Sequence, residues 1–409
     1  MSQPSWWLGI DLGSQQHELC LLDATGTVVR RGQIRHDPAG VARLVAFVDE
    51  ATGRRPTAVA AALETPRCLV GEVLQERGVQ LYAINPKQLD RFRDRHTVAG
   101  AKDDRLDAYV LADSLRTDTH LFRRVAPLPP ENYRLRELTR TLAELEQLNR
   151  QQANRLWSVL NRYFPILLRW CPGADEPWLW ALLRQAATPA QAATLSTADL
   201  QQILRRHRIR RLTAVDLQAA LAEPGESGDP LTVELGAQRV LFYLDQLELI
   251  QRQVRQCSRA IQAIMNAPSA DPAPTDREIV RSVVGIGWKT GAILLGEAAT
   301  ALQQADYRTL RGECGVAPVT KGSGLHRITL MRRACDHRLR LALHHAAGVA
   351  IQHVSPWYRI YHRIRLRGGS HARALRQVGD RLLKVLTTML HNRTLFDLGR
   401  LNGVTPTLG

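Results

Sequence analysis

The stretch Trp6-Trp7-Leu8-Gly9-Ile10-Asp11-Leu12-Gly13-Ser14 decides the fold of the first part of this chain. Trp6 to Ile10 is a short apolar run that ends on Asp11 with Gly13 just beyond, so Asp11 is expected where a first strand turns. Working outward, Gln16 to Cys20 and Thr27 to Arg30 read as the arms of a hairpin around Leu21-Leu22-Asp23-Ala24-Thr25-Gly26, with Gly26 supplying positive φ. Pro38 to Glu50 reads as a helix. A second apolar run, Ala58 to Leu63, ends on Glu64 as the first ends on Asp11. Farther on, Lys102-Asp103-Asp104-Arg105-Leu106-Asp107-Ala108 opens a stretch of helical period through Val110, Leu111, Ser114 and Leu115. Spacing of i, i+3 puts Asp104 and Asp107 on one helix face. Asp103 lies i, i+4 from Asp107 on that face too, so spacing alone leaves Asp103 and Asp104 in competition.

Two carboxylates at neighbouring strand ends and two on one helical face are a set that can converge on a pair of divalent cations. Hard oxygen donors suit Mg2+ or Mn2+, and two such ions clamp the attacking and leaving oxygens of a phosphodiester displacement. The competing reading makes each acid a solvated turn residue or a partner of a helix N-terminus. Composition favours a polyanionic partner. The 409 residues carry a net charge of +16, and such a field attracts nucleic acid whatever the fold. At 44% hydrophobic residues the chain is long enough for two or three cored domains. Six cysteines at 20, 68, 171, 257, 314 and 335 include no C-x-x-C pair, which argues against a zinc site or a disulfide framework and for a reducing cytoplasm. No apolar run approaches membrane-spanning length, so a cytoplasmic protein without membrane contact is expected.

Pro127, Pro129 and Pro130 mark a linker. Leu135, Leu138, Leu142, Leu145, Leu156 and Val159 then follow a 3–4 spacing interrupted by Asn149 and Gln152. Val240, Leu244, Leu247, Val254 and Ile261 repeat it between about Gly236 and Met265. From pattern alone this is either an antiparallel coiled-coil hairpin or a plain helical-bundle core. Between the two helices, the segment 165–235 holds Trp170, Trp178 and Trp180, the run Arg205-Arg206-His207-Arg208-Ile209-Arg210-Arg211, and a turn from Pro224 to Pro230. Five arginines in seven positions suit phosphate contact as well as a solvated face.

The last part, from about Ala273, opens with Val283-Val284-Gly285-Ile286-Gly287-Trp288-Lys289-Thr290. Gly285 and Gly287 permit a tight turn and Lys289 follows it, as in a helix-hairpin-helix phosphate contact or an ordinary helix–helix turn. Between Lys321 and Arg400 stand 16 lysines and arginines against Asp336, Asp380 and Asp397, a surplus of 13 positive charges. Ser323, between Gly322 and Gly324, reads either as a loop serine or as a nucleophile. Lys321, His326, Arg327, Arg332 and Arg333 are near enough in sequence to gather a phosphate, but no activating base can be named.

These motifs, in this order, resemble the DEDD insertion-sequence transposases related to Holliday-junction resolvases and pilin-gene invertases. Asp11, Glu64, Asp104 and Asp107 match the four acidic places, and the Lys102–Ala108 motif favours Asp104 over Asp103; Glu64-Thr65-Pro66 departs from the more usual Glu-x-Thr-Gly. The block from Gly315 through Arg340, with Arg332-Arg333 and Arg338-Leu339-Arg340, resembles the transposase domain whose catalytic serine matches Ser323. Tyr358, Tyr361 and the run from Arg367 to Ala374 resemble its closing helices, leaving 165–235 unmatched.

The resemblance implies an α/β plus α fold. A ribonuclease H-like mixed-sheet catalytic domain spans 1–125, a coiled-coil hairpin 131–268 carries the inserted segment, and a mainly α-helical transposase domain covers 273–400. It further implies a recombinase in which Ser323 forms a phosphoserine intermediate and the acids hold Mg2+ at the same phosphate. Lys321, Arg327, Arg332, Arg333, Arg338, Arg340, Gly285, Gly287 and Lys289 are then the nucleic-acid contacts. Donor and target DNA, an element-encoded guide (bridge) RNA and a homo-oligomer, a dimer assembling to a tetramer, are the implied partners. Three rivals remain: a sugar-kinase or actin-like phosphate loop at Gly9–Ser14, a metal-dependent junction nuclease with an inert Ser323, and a non-catalytic DNA-binding protein.

Overall fold

The computed structural model describes residues 3–95, 103–223, 229–269, 271–323 and 326–401, the side chains of 321, 323, 326, 327, 400 and 401 excepted. The chain divides into two compact units, Met1–Pro127 and Leu128–Gly409.

The first unit is built on β1 (Trp6–Leu12), β2 (Gln16–Leu22), β3 (Val28–Arg35), β4 (Val59–Leu63), β5 (Gln80–Ala83) and β6 (Arg123–Val125), in the order β3-β2-β1-β4-β5-β6. β1 and β4 are parallel, as are β4 and β5, while the other neighbours are antiparallel. All five residues of β4 are buried, as expected of a parallel strand covered on both faces. Helices α1 (Pro38–Thr52), α2 (Leu69–Glu76), α3 (Pro86–Arg93) and α4 (Asp104–Thr117) cover the sheet. Leu8, Ile10, Leu44 and Leu74 belong to one core, and Ala60, Ala62, Leu111 and Leu115 to the opposite one. The hairpin turn is shorter than expected from sequence. Leu21 and Leu22 are buried members of β2, because their alternation into the two cores outweighs their nearness to the turn. The turn proper is closed by Asp23, whose carboxylate accepts from the backbone N–H groups of Thr25 (2.8 Å) and Thr27 (3.0 Å), with Gly26 at φ +90°.

The second unit hangs on two long antiparallel helices, α5 (Pro130–Tyr163) and, after α6 (Pro177–Gln185), α7 (Pro189–Ala193), α8 (Thr197–Arg206) and α9 (Ala214–Ala222), α10 (Pro230–Met265). At 1.5 Å per residue each is roughly 50 Å long. One end of the pair, Ala153 to Tyr163 with Val240 to Leu247, is buried in the core of α6–α9. The tryptophan cluster belongs there: Trp178 and Trp180 are core residues, and their indole N–H groups donate to Glu176 and to the carbonyl of Ala174. The other end, Leu135 and Leu142 with Cys257, Ile261 and Met265, is buried among the C-terminal helices. Between the two cores the Gln251 amide donates to Asn149 at 3.3 Å, which explains the polar interruption of the apolar spacing.

The C-terminal helices are α11 (Asp276–Ser282), α12 (Trp288–Glu297), α13 (Ala299–Gln303), α14 (Tyr307–Glu313), α15 (His337–His353), α16 (Ser355–Leu366), α17 (His371–Asn392) and α18 (Leu398–Leu401). An antiparallel hairpin, β7 (Val319–Ser323) and β8 (His326–Leu330), precedes α15. Among the described residues no helix is long and apolar enough to cross a membrane.

Candidate functional site

A glycine places the acidic helix on the sheet. A Cβ at Gly9 would lie 1.9 Å from the Ala108 carbonyl oxygen and 2.6 Å from the Ala112 nitrogen, so α4 rests its backbone directly on β1 there. Asp11 is two residues farther along β1 and therefore on the same sheet face. It lies inside the strand, opposite Glu18, and not at the turn expected from sequence. Gly9 pairs with Ala62 in the parallel neighbour β4, and Glu64 follows Ala62 by the same two-residue step, just past the strand end. Asp11 and Glu64 thus share one face at the carboxyl ends of adjacent parallel strands, the face that α4 covers. Asp11 is half-buried and Glu64 exposed.

The helix start divides the three neighbouring aspartates by role. Asp103 is the N-cap, its carboxylate accepting from the Arg105 N–H at 3.0 Å. Asp104 is the exposed first residue of α4, and Asp107, one turn on, is buried. The local geometry gives Asp103 a capping bond of its own, leaving Asp104 and Asp107 as the pair on the helix itself.

Asp107 is held by a residue that the sequence reading missed. Arg93, at the end of α3, grips both carboxylate oxygens, Nε to Oδ1 at 2.6 Å and an Nη to Oδ2 at 2.8 Å. The Asp107 side chain is 3% exposed, and a carboxylate so buried is costly without such a partner. The hydrogen bonds to Asp107 raise the Arg93 guanidinium above its ordinary value. No sequence signal marks Arg93, since nothing in the period of α3 points to a helix 14 residues away.

As a donor set, four carboxylates suit a hard divalent cation, and a shared sheet face with a helix start above it suits their convergence. Among the described residues, however, no three His, Cys, Asp or Glu side chains are gathered as a metal-binding group. The Arg93 guanidinium instead supplies the positive charge at Asp107.

In the second unit, Ser323 ends β7 level with His326 of β8. The side chains of Lys321, Ser323 and Arg327 lie outside the described residues. Arg333 is exposed, and Arg332 is half-buried with its Nε lacking a hydrogen-bond partner. Arg340 meets the Nδ1 of His337 at 3.0 Å. Lys289 is bound to both carboxylate oxygens of Glu146 at 2.6 and 2.7 Å, which competes with the phosphate contact expected of it. Gly285 has φ +101°, and a Cβ there would lie 2.5 Å from the Ala346 carbonyl, so the turn before α12 requires glycine. Gly287 is the N-cap of α12 and faces open space.

Arg338 turns inward. Its Nε lies 3.0 Å from Glu297, whose carboxylate also takes Arg140 (2.8 and 3.0 Å) and Arg136 (3.2 Å). Burial pushes the Glu297 carboxyl up, but the Arg140 hydrogen bond and the charges of Arg140, Arg136 and Arg338 outweigh it and hold the group below its ordinary value. Two arginines at i, i+4 beside the apolar seam of α5 were the available signal for this cluster.

Sequence comparison agrees with this arrangement of parts. A DEDD transposase model of the IS110 type matches residues 8–165, and a model of the IS116/IS110/IS902 transposase family matches residues 277–363. The mini-circle transposase candidate for IS117 of Streptomyces coelicolor is 32% identical over 398 residues, 95% of this chain and 94% of its own length. The transposase candidate y4uE of Sinorhizobium fredii is 38% identical over 223 residues, 54% of this chain and 62% of that protein. An uncharacterized 43.6 kDa protein of insertion element IS110, also from S. coelicolor, is 25% identical over 96% of this chain and 95% of its own. The match to the IS117 protein runs through both units, and the chain belongs to the IS110 family of insertion-sequence transposases, a family of DNA-cleaving and recombining enzymes.

Proposed function

We propose that this transposase cuts and rejoins DNA through a phosphoserine intermediate at Ser323, with Asp11, Glu64, Asp104 and Asp107 holding Mg2+ or Mn2+. The observation that carries the metal half is the contact of α4 with β1 at Gly9, which sets the helix of Asp104 and Asp107 on the face of Asp11 and Glu64. The order β3-β2-β1-β4-β5, with β2 antiparallel and β4 parallel to β1, supports a ribonuclease H-like reading of this unit. A bound divalent ion supplies charge stabilisation to the phosphoryl oxygens as the displacement proceeds. Arg93 orients Asp107 through its two-bond clamp.

At Ser323 the Oγ–phosphorus bond forms as one sugar ester bond breaks; the hydroxyl gives up its proton and the leaving sugar oxygen takes one up, so no net proton is gained or lost. An ester replaces an ester, so the bond is conserved for rejoining without ATP. The surplus of 13 positive charges in 321–400 supports broad phosphate binding, which carries affinity and little sequence information. We assign target choice to base pairing with a guide RNA from the element. On α10, Leu235, Phe242 and Leu249 stand seven apart and exposed (49%, 64% and 46%), a heptad stripe that supports coiled-coil contact with a second copy and a dimer that assembles to a tetramer.

The test is adduct trapping with donor DNA, target DNA and RNA from the element. Ser323→Ala is expected to lose both cleavage and the covalent protein–DNA band while keeping DNA affinity. Asp11→Ala or Glu64→Ala should lose metal-dependent cleavage. Cleavage by Ser323→Ala at the wild-type rate, with no adduct in either protein, would replace the serine mechanism with a water-using nuclease.

A further inference from the structure

A cavity of 370 Å³ opens between α15 and α17, beside the strand end of the hairpin that carries Ser323. Its size falls in the range of small-ligand pockets, roughly 300–1,000 Å³. The inner wall is apolar, from Leu343 and Leu375, and it passes beneath Gly379, where a Cβ would come within 3.0 Å of Leu343. Met331, the residue after β8, forms part of the opposite side and is 46% exposed. Arg340, Arg376, His337 and His344 also line the cavity, and among the described residues no carboxylate does.

That combination selects an occupant with a flat apolar body and an attached anion. Arg376 is partly buried, with its guanidinium held below its ordinary value by burial and by the nearby charges of Arg340 and Arg373. A phosphate would relieve that repulsion. Burial, then the neighbouring His345, His371 and Arg376, lower His344 as well, so its ring is neutral at pH 7 and adds no charge to the cavity lining. Met331 lies eight residues from Ser323, and the cavity sits roughly 17 Å along β8 from the Ser323–His326 pair at about 3.4 Å per residue. The distance is a few nucleotides along a strand.

We propose that this cavity holds one nucleotide of the DNA strand, unstacked from its neighbours, with its base against Leu343 and Leu375 and its phosphate on Arg340 and Arg376. The proposal rests on the DNA-cutting reading of the same unit. Extrusion of a base is least costly where the strand is already unpaired, as it is during strand exchange, so the site favours single-stranded over fully paired DNA.

The test uses the full-length protein and a short single strand carrying 2-aminopurine, which brightens when unstacked. Binding to wild type should change the fluorescence at one position of the strand. Ala372→Trp, at the exposed edge of the cavity, should weaken single-strand binding at least tenfold and remove that change, with duplex affinity and melting temperature unaltered. Arg340→Gln leaves the cavity open and should lower the salt dependence of single-strand binding by about one released counterion; it is the deciding variant should Ala372→Trp fold poorly. Unchanged single-strand affinity and salt dependence in both variants would overturn the proposal. So would a preference for a ribo-oligonucleotide of the same sequence, or binding of free deoxynucleoside monophosphate as tight as that of the strand. Adduct formation with normal single-strand binding by the variants would keep the serine chemistry and reject the cavity; capture of the 2-aminopurine strand with no adduct would keep the cavity and reject the serine.

Discussion

Each unit contains a carboxylate whose side chain is 3% exposed, and the two are neutralised in opposite proportions. In the first unit Asp107 faces one guanidinium, Arg93, in a two-bond clamp. In the second, Glu297 faces three, from Arg136, Arg140 and Arg338. Arg93 is shared with Asp90, 3.0 Å from its other Nη, so Asp107 can exchange this cation for another while Arg93 keeps a partner. The three-to-one cluster tolerates loss of Glu297 poorly, because among the described residues Glu297 alone bridges the three arginines at salt-bridge distance. The charges of Glu137 and Asp336 act on Arg136 and Arg140 only electrostatically. Around Glu297 the backbones are also close: a Cβ at Gly296 would lie 2.8 Å from Arg136 Cα, so α5 and α12 leave no room for rearrangement. Asp107 takes part in chemistry only under the proposed function, whereas Glu297 ties α5, α12 and α15 together.

The largest expected effect tests the three-to-one cluster. Glu297→Gln should destabilise the second unit by about 3–5 kcal/mol, the usual consequence of removing one partner from a buried ion pair, seen as a lower urea midpoint with an unchanged slope. A variant as stable as wild type would mean that water already solvates these arginines. Next comes the clamp. Arg93→Ala should cost about 3 kcal/mol in metal-free protein by leaving Asp107 buried and uncompensated. If a cation can replace the guanidinium, Mg2+ should then raise the melting temperature of Arg93→Ala more than that of wild type. Equal shifts, or none, would make the clamp purely structural and remove its link to metal binding.

The smallest effect is in acid. The folded-state value of Glu297 is depressed, so its stabilisation is full above the ordinary value of 4.5 and fades as pH falls through the depressed one. Wild type should therefore lose stability more steeply below about pH 4.5 than Glu297→Gln does, when both are followed by urea denaturation from pH 6 to pH 3. Parallel curves would show that other carboxylates set the acid limit.

Much of the candidate site was legible because it lies on regular elements. The apolar runs ending at Asp11 and Glu64 became adjacent parallel strands, and the period through Leu106, Val110 and Leu111 became α4. Where the reading slipped, a local signal met a tertiary one. Leu21 and Leu22 sit beside turn residues yet stay in β2 because the sheet has a core on each face. The choice between coiled coil and bundle was open for a related reason: each end of the α5–α10 pair enters a different core, and only the waist at Asn149 and Gln251 is a bare helix pair.

The sequence by itself determined the first four strands, the two long helices, the helix that carries Asp104 and Asp107, and the location of the positive charge; the hairpin that ends β7 at Ser323 reads in the sequence only as a loop. Period and turn chemistry act over a few residues, so they can be read from a linear string. Tertiary structure alone decided which charges are paired. Arg93 reaches Asp107 across 14 residues, and Glu297 collects arginines from 136 to 338, because burial makes a lone charge so costly that the fold must bring a partner from wherever the chain offers one. The cavity between α15 and α17 arises likewise, from small residues at one crossing whose partners are named only when the helices meet.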